Sequence, residues 1–275
     1  MFLSGSDVYI LTRGSTPLGN ETKWRTPGGE IVRQQAARNS EFVVHFERDG
    51  GYAGAVPLDL PFKPLHLGVF ENGDFLIAGA NASTDEPRLA IVGSNGELRR
   101  FVELKGDVHA QKESGPLGKE KERDPTALPR FGTPPGSAGW SPFSKSLFNV
   151  VYGSQIAKDG PNLLLLRPMN GPIFSISPSG EVQVRKLKVE GDFRLYTLKA
   201  TRNRWIAEFL HGVPHSEAVE FSTYAFDPET GTPLQEYFFP TDLGFGLACT
   251  DGDEFTFVMS NNETKNLILV KVARP

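Results

Sequence analysis

Two imidazoles stand four residues apart in His211-Gly212-Val213-Pro214-His215. On a helix this spacing would set both rings on one face, a recurrent arrangement of metal ligands. Gly212 and Pro214 disfavour a helix, so the pair reads as a loop that could fold both rings onto one ion. Glu208 and Glu217 are near in sequence but form no metal pattern with it. The ordinary alternative is a pair of solvated loop histidines. His66 opens an apolar run, where a histidine can act as ligand or base, or simply hydrogen-bond a neighbour. His45 alternates with Val44 and Phe46, so it should face away from both. A calcium site of oxygen ligands would draw on Asp59, Asn81, Asn170 and Asp242, which occupy loop positions without forming a motif. No Gly-x-Ser-x-Gly elbow, phosphate loop or dinucleotide fingerprint is present. A Ser-His-Asp triad has no fixed sequence order and stays open.

The chain that must position these groups has 275 residues, with 29 Gly, 21 Pro and 20 Phe. That usage is rich in turns and in side chains suited to pleated, half-buried surfaces. No long window is periodic at 3.6 residues, and no apolar run is long enough to span a membrane. The net charge of −4, with acids and bases interleaved, lacks the basic stripe of a nucleic-acid binder. One cysteine, Cys249, excludes an intrachain disulfide and a cysteine-based zinc cluster. Lying in Leu247-Ala248-Cys249, it is expected to be a buried thiol. The first residues, Met1–Gly5, lack the basic and apolar regions of a signal peptide. A leader removed before Met1 would be compatible with export, so the compartment stays open.

The clearest repeating unit runs from Pro64 to Leu104. It holds four apolar runs, Leu65–Phe70, Phe75–Ala80, Leu89–Val92 and Leu98–Leu104. Asn72-Gly73 and Asn95-Gly96 punctuate them. Asn-Gly between such runs signals a hairpin with a primed turn, and two hairpins in tandem make a four-stranded antiparallel unit. Other stretches repeat it. In the first, Asp7–Thr12 is a strand, Arg13–Gly29 reads as a polar loop, and Glu30–Gln34 is a weak strand. Phe42–Phe46 and Tyr52–Leu58 form a hairpin. Ser146–Tyr152, Asn162–Arg167, Pro172–Ile176 and Glu181–Val189 make another unit. Phe193–Lys199, Trp205–Leu210, Phe221–Phe226 and Pro233–Phe239 make a further one, with Asp227-Pro228-Glu229-Thr230-Gly231 as a type I turn closed by a left-handed glycine. Leu243–Cys249, Glu254–Met259 and Leu267–Val272 give three strands only. The turn glycines Gly50, Gly96, Gly180 and Gly231 recur at a spacing of one repeat, or two across residues 105–145.

Four-stranded repeats of this length indicate propeller blades. The run Ile173-Phe174-Ser175-Ile176-Ser177-Pro178-Ser179-Gly180-Glu181-Val182 and the Asn/Asp-Gly turns resemble five- or six-bladed β-propellers of the NHL and TolB-like kinds. The Gly-His and Trp-Asp signature of WD40 repeats is absent. The resemblance implies a fold that hosts both binding modules and hydrolases.

The expectation is therefore a single all-β domain over 1–275, a β-propeller of five blades with six as the alternative. The residue 7–12 strand or its neighbours should complete the blade that holds Leu267–Val272. Residues 105–145, rich in Pro, Gly and charge, read as an irregular insertion. Connections between strands two and three, and between blades, should gather on one face, with tight turns on the other. The long-loop face, near the channel mouth, is the expected place of binding, through His66, Asp85, Trp140, His211, His215 and Asp242. The function expected is non-enzymatic: a monomeric scaffold, without cofactor, for a peptide, glycan or partner protein. The alternative is a hydrolase or lactonase holding one calcium or zinc ion in the central channel, with His211 and His215 as metal ligands.

Overall fold

The computed structural model describes residues 1–105, 151–167, 172–189, 194–201, 203–212, 219–239, 247–251, 254–260 and 266–273. The described chain forms five antiparallel sheets, arranged as the blades of a β-propeller. The first blade holds β1 (Phe2–Ser4), β2 (Asp7–Arg25), β3 (Ile31–Phe46) and β4 (Tyr52–Leu58). The second holds β5 (Lys63–Val69), β6 (Phe75–Ala80), β7 (Pro87–Val92) and β8 (Leu98–Phe101). The third holds β9 (Gln155–Asp159), β10 (Asn162–Leu166), β11 (Ile173–Ile176) and β12 (Val182–Arg185). The fourth holds β13 (Arg194–Ala200), β14 (Trp205–Gly212), β15 (Val219–Phe226) and β16 (Pro233–Tyr237). The fifth has three described strands, β17 (Leu247–Asp251), β18 (Glu254–Ser260) and β19 (Leu267–Ala273).

Alternation along a strand explains why the inner strands are apolar at every position. Side chains of successive residues point to opposite faces of a sheet, and an inner blade has a neighbour on both faces. In β10, Leu163 and Leu165 enter the core shared by the first three blades, while Leu164 and Leu166 enter the core between the third and fourth. In β14, Trp205, Ala207 and Phe209 face the third blade, whereas Ile206 joins Leu247, Phe255 and Phe257 of the fifth. The innermost strands β1, β5, β9 and β13 follow one another side by side. β5 lies directly against β9, so no sixth blade stands between the second and third.

The hairpin turns share one geometry. In Phe70–Asp74 the Phe70 N–H donates to Asp74 O at 2.9 Å and the Gly73 N–H donates to Phe70 O at 3.0 Å. The same pair of bonds closes Glu47–Gly51, Gly93–Glu97 and Ser177–Glu181. Gly50, Gly73, Gly96 and Gly180 have φ between 82 and 86°, and Asn72 and Asn95 are not left-handed. The primed turns expected from Asn-Gly are therefore replaced by three-residue loops with glycine alone at positive φ, the other common hairpin solution. The Asn side chains cap the turns instead: Asn72 Oδ1 accepts from Asp74 N, and Asn95 Oδ1 from Glu97 N, both at 3.1 Å.

Several expectations need correction. Residues 13–34 are not a loop and a weak strand but the arms of β2 and β3, paired from Val8↔Phe46 out to Arg25↔Ile31. Beyond β1 and β4 each arm has a partner on one side only among the described residues, so Pro17 and the glycines of β2 are tolerated there. Arg13 and Glu41 face each other across the ladder and form an ion pair, with 2.7 Å from Nε to Oε1. Asp7–Thr12 does not complete the last blade. Gly5, at φ +65°, turns β1 back onto β2 with Phe2 opposite Tyr9, so the N-terminal strands are used within the first blade. Among the described residues β19 pairs with β18 alone. The first strand of the third blade is β9, not Ser146–Tyr152, whose described residues Val151 and Tyr152 are helical. The unread signal was Asp159-Gly160-Pro161, a two-residue turn with Gly160 at φ +57°. Cys249 is exposed, because only Leu247 of its run turns into the core across a bulge in β17. Most of the expected insertion, from residue 106 on, lies outside the described residues.

Candidate binding face at the channel mouth

β5, β9 and β13 each begin on the long-loop face, and their first residues form the rim around the axis. The second and third blades are tied together there by polar side chains. Lys63 Nζ donates to Tyr152 Oη at 2.7 Å and lies 5.1 Å from the centre of that ring. His66 Nε2 stands 2.8 Å from Val151 O. A carbonyl only accepts, so Nε2 carries the proton and donates. Burial, and then the charge of Arg167, push the His66 pKa below its usual value although the Val151 bond opposes them, so the ring is neutral near pH 7. Arg167 is wholly buried and donates to Ser154 Oγ at 2.9 Å.

The third and fourth blades are joined in the same way. Thr197 Oγ1 donates to Gln155 Oε1 at 2.8 Å, and Gln155 Nε2 donates to Tyr196 O at 2.9 Å. Behind this rim, on the side facing the fifth blade, stands Glu208. It lies in β14 between Thr197 and Thr223 on the flanking strands, and is 3 % exposed. Its Oε2 has no hydrogen-bond partner among the described residues, nor does the buried Thr250 Oγ1 of β17. Burial raises the Glu208 pKa to about 7, against the opposing pull of the Lys199 ammonium. Burial lowers the Lys199 pKa in turn, with Glu208 opposing.

Of the residues singled out from sequence, His66 is in this rim. Asp85 is in the β6–β7 connection, at φ +54° and exposed. That loop is closed by Asn81, whose Oδ1 accepts from Ser83 N at 2.9 Å, so this asparagine is engaged in shaping it. His211 lies in β14, one residue before its end, opposite Glu220. Trp140, His215, Asn170 and Asp242 lie outside the described residues. No hydrogen bond joins His66 and Asp85, and among the described residues no three His, Cys, Asp or Glu side chains converge as a metal would require. Sequence reasoning missed Lys63, Tyr152, Arg167 and Lys199, and met Glu208 only as a neighbour of the histidines. A signal existed for two of them: Glu208 interrupts Trp205-Ile206-Ala207-Glu208-Phe209-Leu210, and Arg167 closes Leu163–Leu166. A charge inside a run buried on both faces needs a structural or functional reason.

A second polar cluster lies on the tight-turn side of the first blade. Asp7 Oδ2 is 3.0 Å from His45 Nε2, and Tyr9 stacks on the imidazole with ring centres 4.4 Å apart. Asp7 and His45 line a shallow, open depression with Glu47, Arg48 and Asp49.

No protein-family model matches the chain, and no curated protein matches it. Solved structures do. A selenomethionine-substituted virginiamycin B lyase from Staphylococcus aureus is 11 % identical over 97 % of this chain and 89 % of that one, with a TM-score of 0.35. Apo AztD from Citrobacter koseri is 7 % identical over 97 % of this chain and 94 % of that one, with a TM-score of 0.35. A protein of unknown function from Bacteroides caccae is 12 % identical over 92 % and 79 %, again with a TM-score of 0.35. The likeness is one of fold and carries nothing about activity.

Proposed function

We propose that the chain is a binding scaffold that presents its long-loop face to a peptide, a glycan or a partner protein. The observation that carries this reading is the rim itself. Its polar side chains are spent on one another: Lys63 on Tyr152, His66 on Val151, Arg167 on Ser154 and Gln155 on Thr197. A rim held by its own hydrogen bonds is a preformed surface, and a ligand meeting it gives up little ordering entropy of the protein. A hydrolase would instead need a nucleophile or metal-bound water beside a base. On this reading the contact residues are Asp85 of the β6–β7 connection and His211 of β14, with Trp140, His215 and Asp242 as further candidates.

The test is a screen of the immobilised full chain against peptide and glycan arrays, followed by the triple substitution Trp140→Ala, His211→Ala, His215→Ala. The reading expects the strongest interaction to be lost while the melting temperature stays put. Undiminished binding by the triple variant would overturn it. So would one tightly held calcium or zinc ion per chain together with lactone hydrolysis, which would establish the hydrolase instead.

A further inference from the structure

We propose that Tyr196 is a stacking platform for a neutral sugar ring, so that the ligand of the long-loop face is a glycan. The proposal rests on the scaffold reading above and chooses among its three ligand classes.

The backbone first sets the ring apart. In β13 Leu195 pairs with Phe209 and Thr197 with Glu208, which leaves Tyr196 as the extra residue of a β-bulge. The same irregularity recurs in two other innermost strands, at Leu65 of β5 and Ala248 of β17. A bulge re-aims the side chain it carries. Leu65 is half-buried, and Ala248 is too small to offer a surface. Tyr196 is a large ring in a strand whose residues Leu195, Thr197 and Leu198 are all buried, yet it is 41 % exposed.

The ring is also held. Gln155 of the third blade donates from Nε2 to Tyr196 O at 2.9 Å, and its Oε1 accepts from Thr197 Oγ1 at 2.8 Å. One amide thus clips both residues of the bulge across the blade joint. Phe221 of β15 packs against the phenol in a T-shaped contact, with ring centres 5.5 Å apart. A tyrosine has only two side-chain torsions to fix, and these contacts fix the platform before a ligand arrives, which lowers the ordering entropy lost on binding.

The neighbouring groups indicate the ligand. Glu208 stands in the row beside the bulge, close enough for its charge to add to burial in raising the Tyr196 pKa. Lys199, on the adjacent strand, has the opposite charge and interacts with Glu208 in turn. Acid and base offset each other, so this part of the rim does not select an ion. A sugar ring has an apolar C–H face to lie on the phenol and hydroxyls at its edge to meet the phenolic O–H, which both donates and accepts. A peptide anchor is better served by a desolvated apolar pocket, whereas this ring stands in a polar rim.

An array of neutral and charged oligosaccharides, probed with the full chain, should return a neutral glycan. In calorimetric titration with that glycan, Tyr196→Ala should weaken binding about thirty-fold or more, the loss typical of an interface anchor. Tyr196→Phe keeps the ring and should stay within about five-fold, the contribution of one hydrogen bond. Both variants should melt close to the wild type, because the side chain is partly in solvent. Saturation-transfer NMR on the wild type should show aromatic contact on one face of the sugar ring, a readout that needs no variant to fold. No glycan bound while a peptide or protein binds would overturn this proposal and leave the scaffold reading standing, whereas failure of all three ligand classes would remove both. Hits confined to charged glycans, equal losses in the Ala and Phe variants, or an affinity that Tyr196→Ala leaves unchanged would also overturn it.

Discussion

The joint between the second and third blades and the joint between the fourth and fifth are built from the same repeat, yet their described residues fill them differently. At the first, apolar side chains of both blades interlock, the half-buried His66 has Val151 as its partner and the buried Arg167 has Ser154. At the second, the buried apolar cluster among the described residues is Ile206, Ala225, Leu247, Phe255 and Phe257, and two buried oxygens, Glu208 Oε2 and Thr250 Oγ1, have no hydrogen-bond partner among the described residues. The difference shows that what a blade packs against depends on the faces its two neighbours present. Its quality depends on whether the sheets on both sides present full apolar faces, as expected when stability is shared between neighbouring repeats.

The largest effect should come from opening the first of these joints. Leu165→Ala removes a wholly buried side chain between blades and should cost about 2–5 kcal/mol. Leu269→Ala, at an exposed position of the fifth blade, should stay within about 0.5 kcal/mol. Chemical denaturation of both variants reads this directly. Equal losses would mean that the fifth blade is as tightly packed as the others.

Next come the turn glycines. Gly50→Ala and Gly96→Ala both force an L-residue into the left-handed region, which costs on the order of 1 kcal/mol. Only at Gly96 would the new methyl meet backbone, so that variant should lose at least about 1 kcal/mol more, as overpacking does. Thermal melts of the pair at low protein concentration check it. Parity would show that the turn of the second blade does not press on the first.

The pH dependence sharpens the contrast most finely, because the two joints should respond with opposite sign. Glu208 has a folded pKa of about 7, above its ordinary 4.5, so the folded state holds a proton that the unfolded state has lost. Its contribution is favourable at low pH and fades as pH rises from 4.5 through 7, by an amount on the order of 3 kcal/mol. Glu208→Gln should flatten that slope. His66 has a folded pKa below its ordinary 6.5, so its contribution is complete above pH 6.5 and fades as pH falls below it. His66→Gln should flatten the acid side. Urea midpoints from pH 4.5 to 8 measure both, and an unchanged profile in either variant would remove that group from the account.

Much of the architecture could be read from the chain alone, because propeller blades are local objects. Strand runs such as Phe75–Ala80, turns such as Phe70–Asp74 and the recurrence of Gly50, Gly96, Gly180 and Gly231 depend on backbone preferences and on pairing between near neighbours in sequence. Hence the five blades, their order and the three described strands of the last one were within reach. So was the sorting of turns and long connections onto opposite faces, because it follows from alternating strand direction.

What only the tertiary structure decided depends on partners distant in sequence. The long β2–β3 ribbon was hidden because each arm looks like a loop until the other is laid beside it. The place of β1 turned on Gly5, one residue whose left-handed bend sends the strand to its own blade rather than to β19. The rim was invisible for the same reason: Lys63 finds Tyr152 across 89 positions and His66 finds Val151 across 85. Composition registers that a histidine or a glutamate is present. Whether it is charged, paired or stranded is set by the low-dielectric space that other blades enclose around it, as the opposite pKa shifts of His66 and Glu208 illustrate.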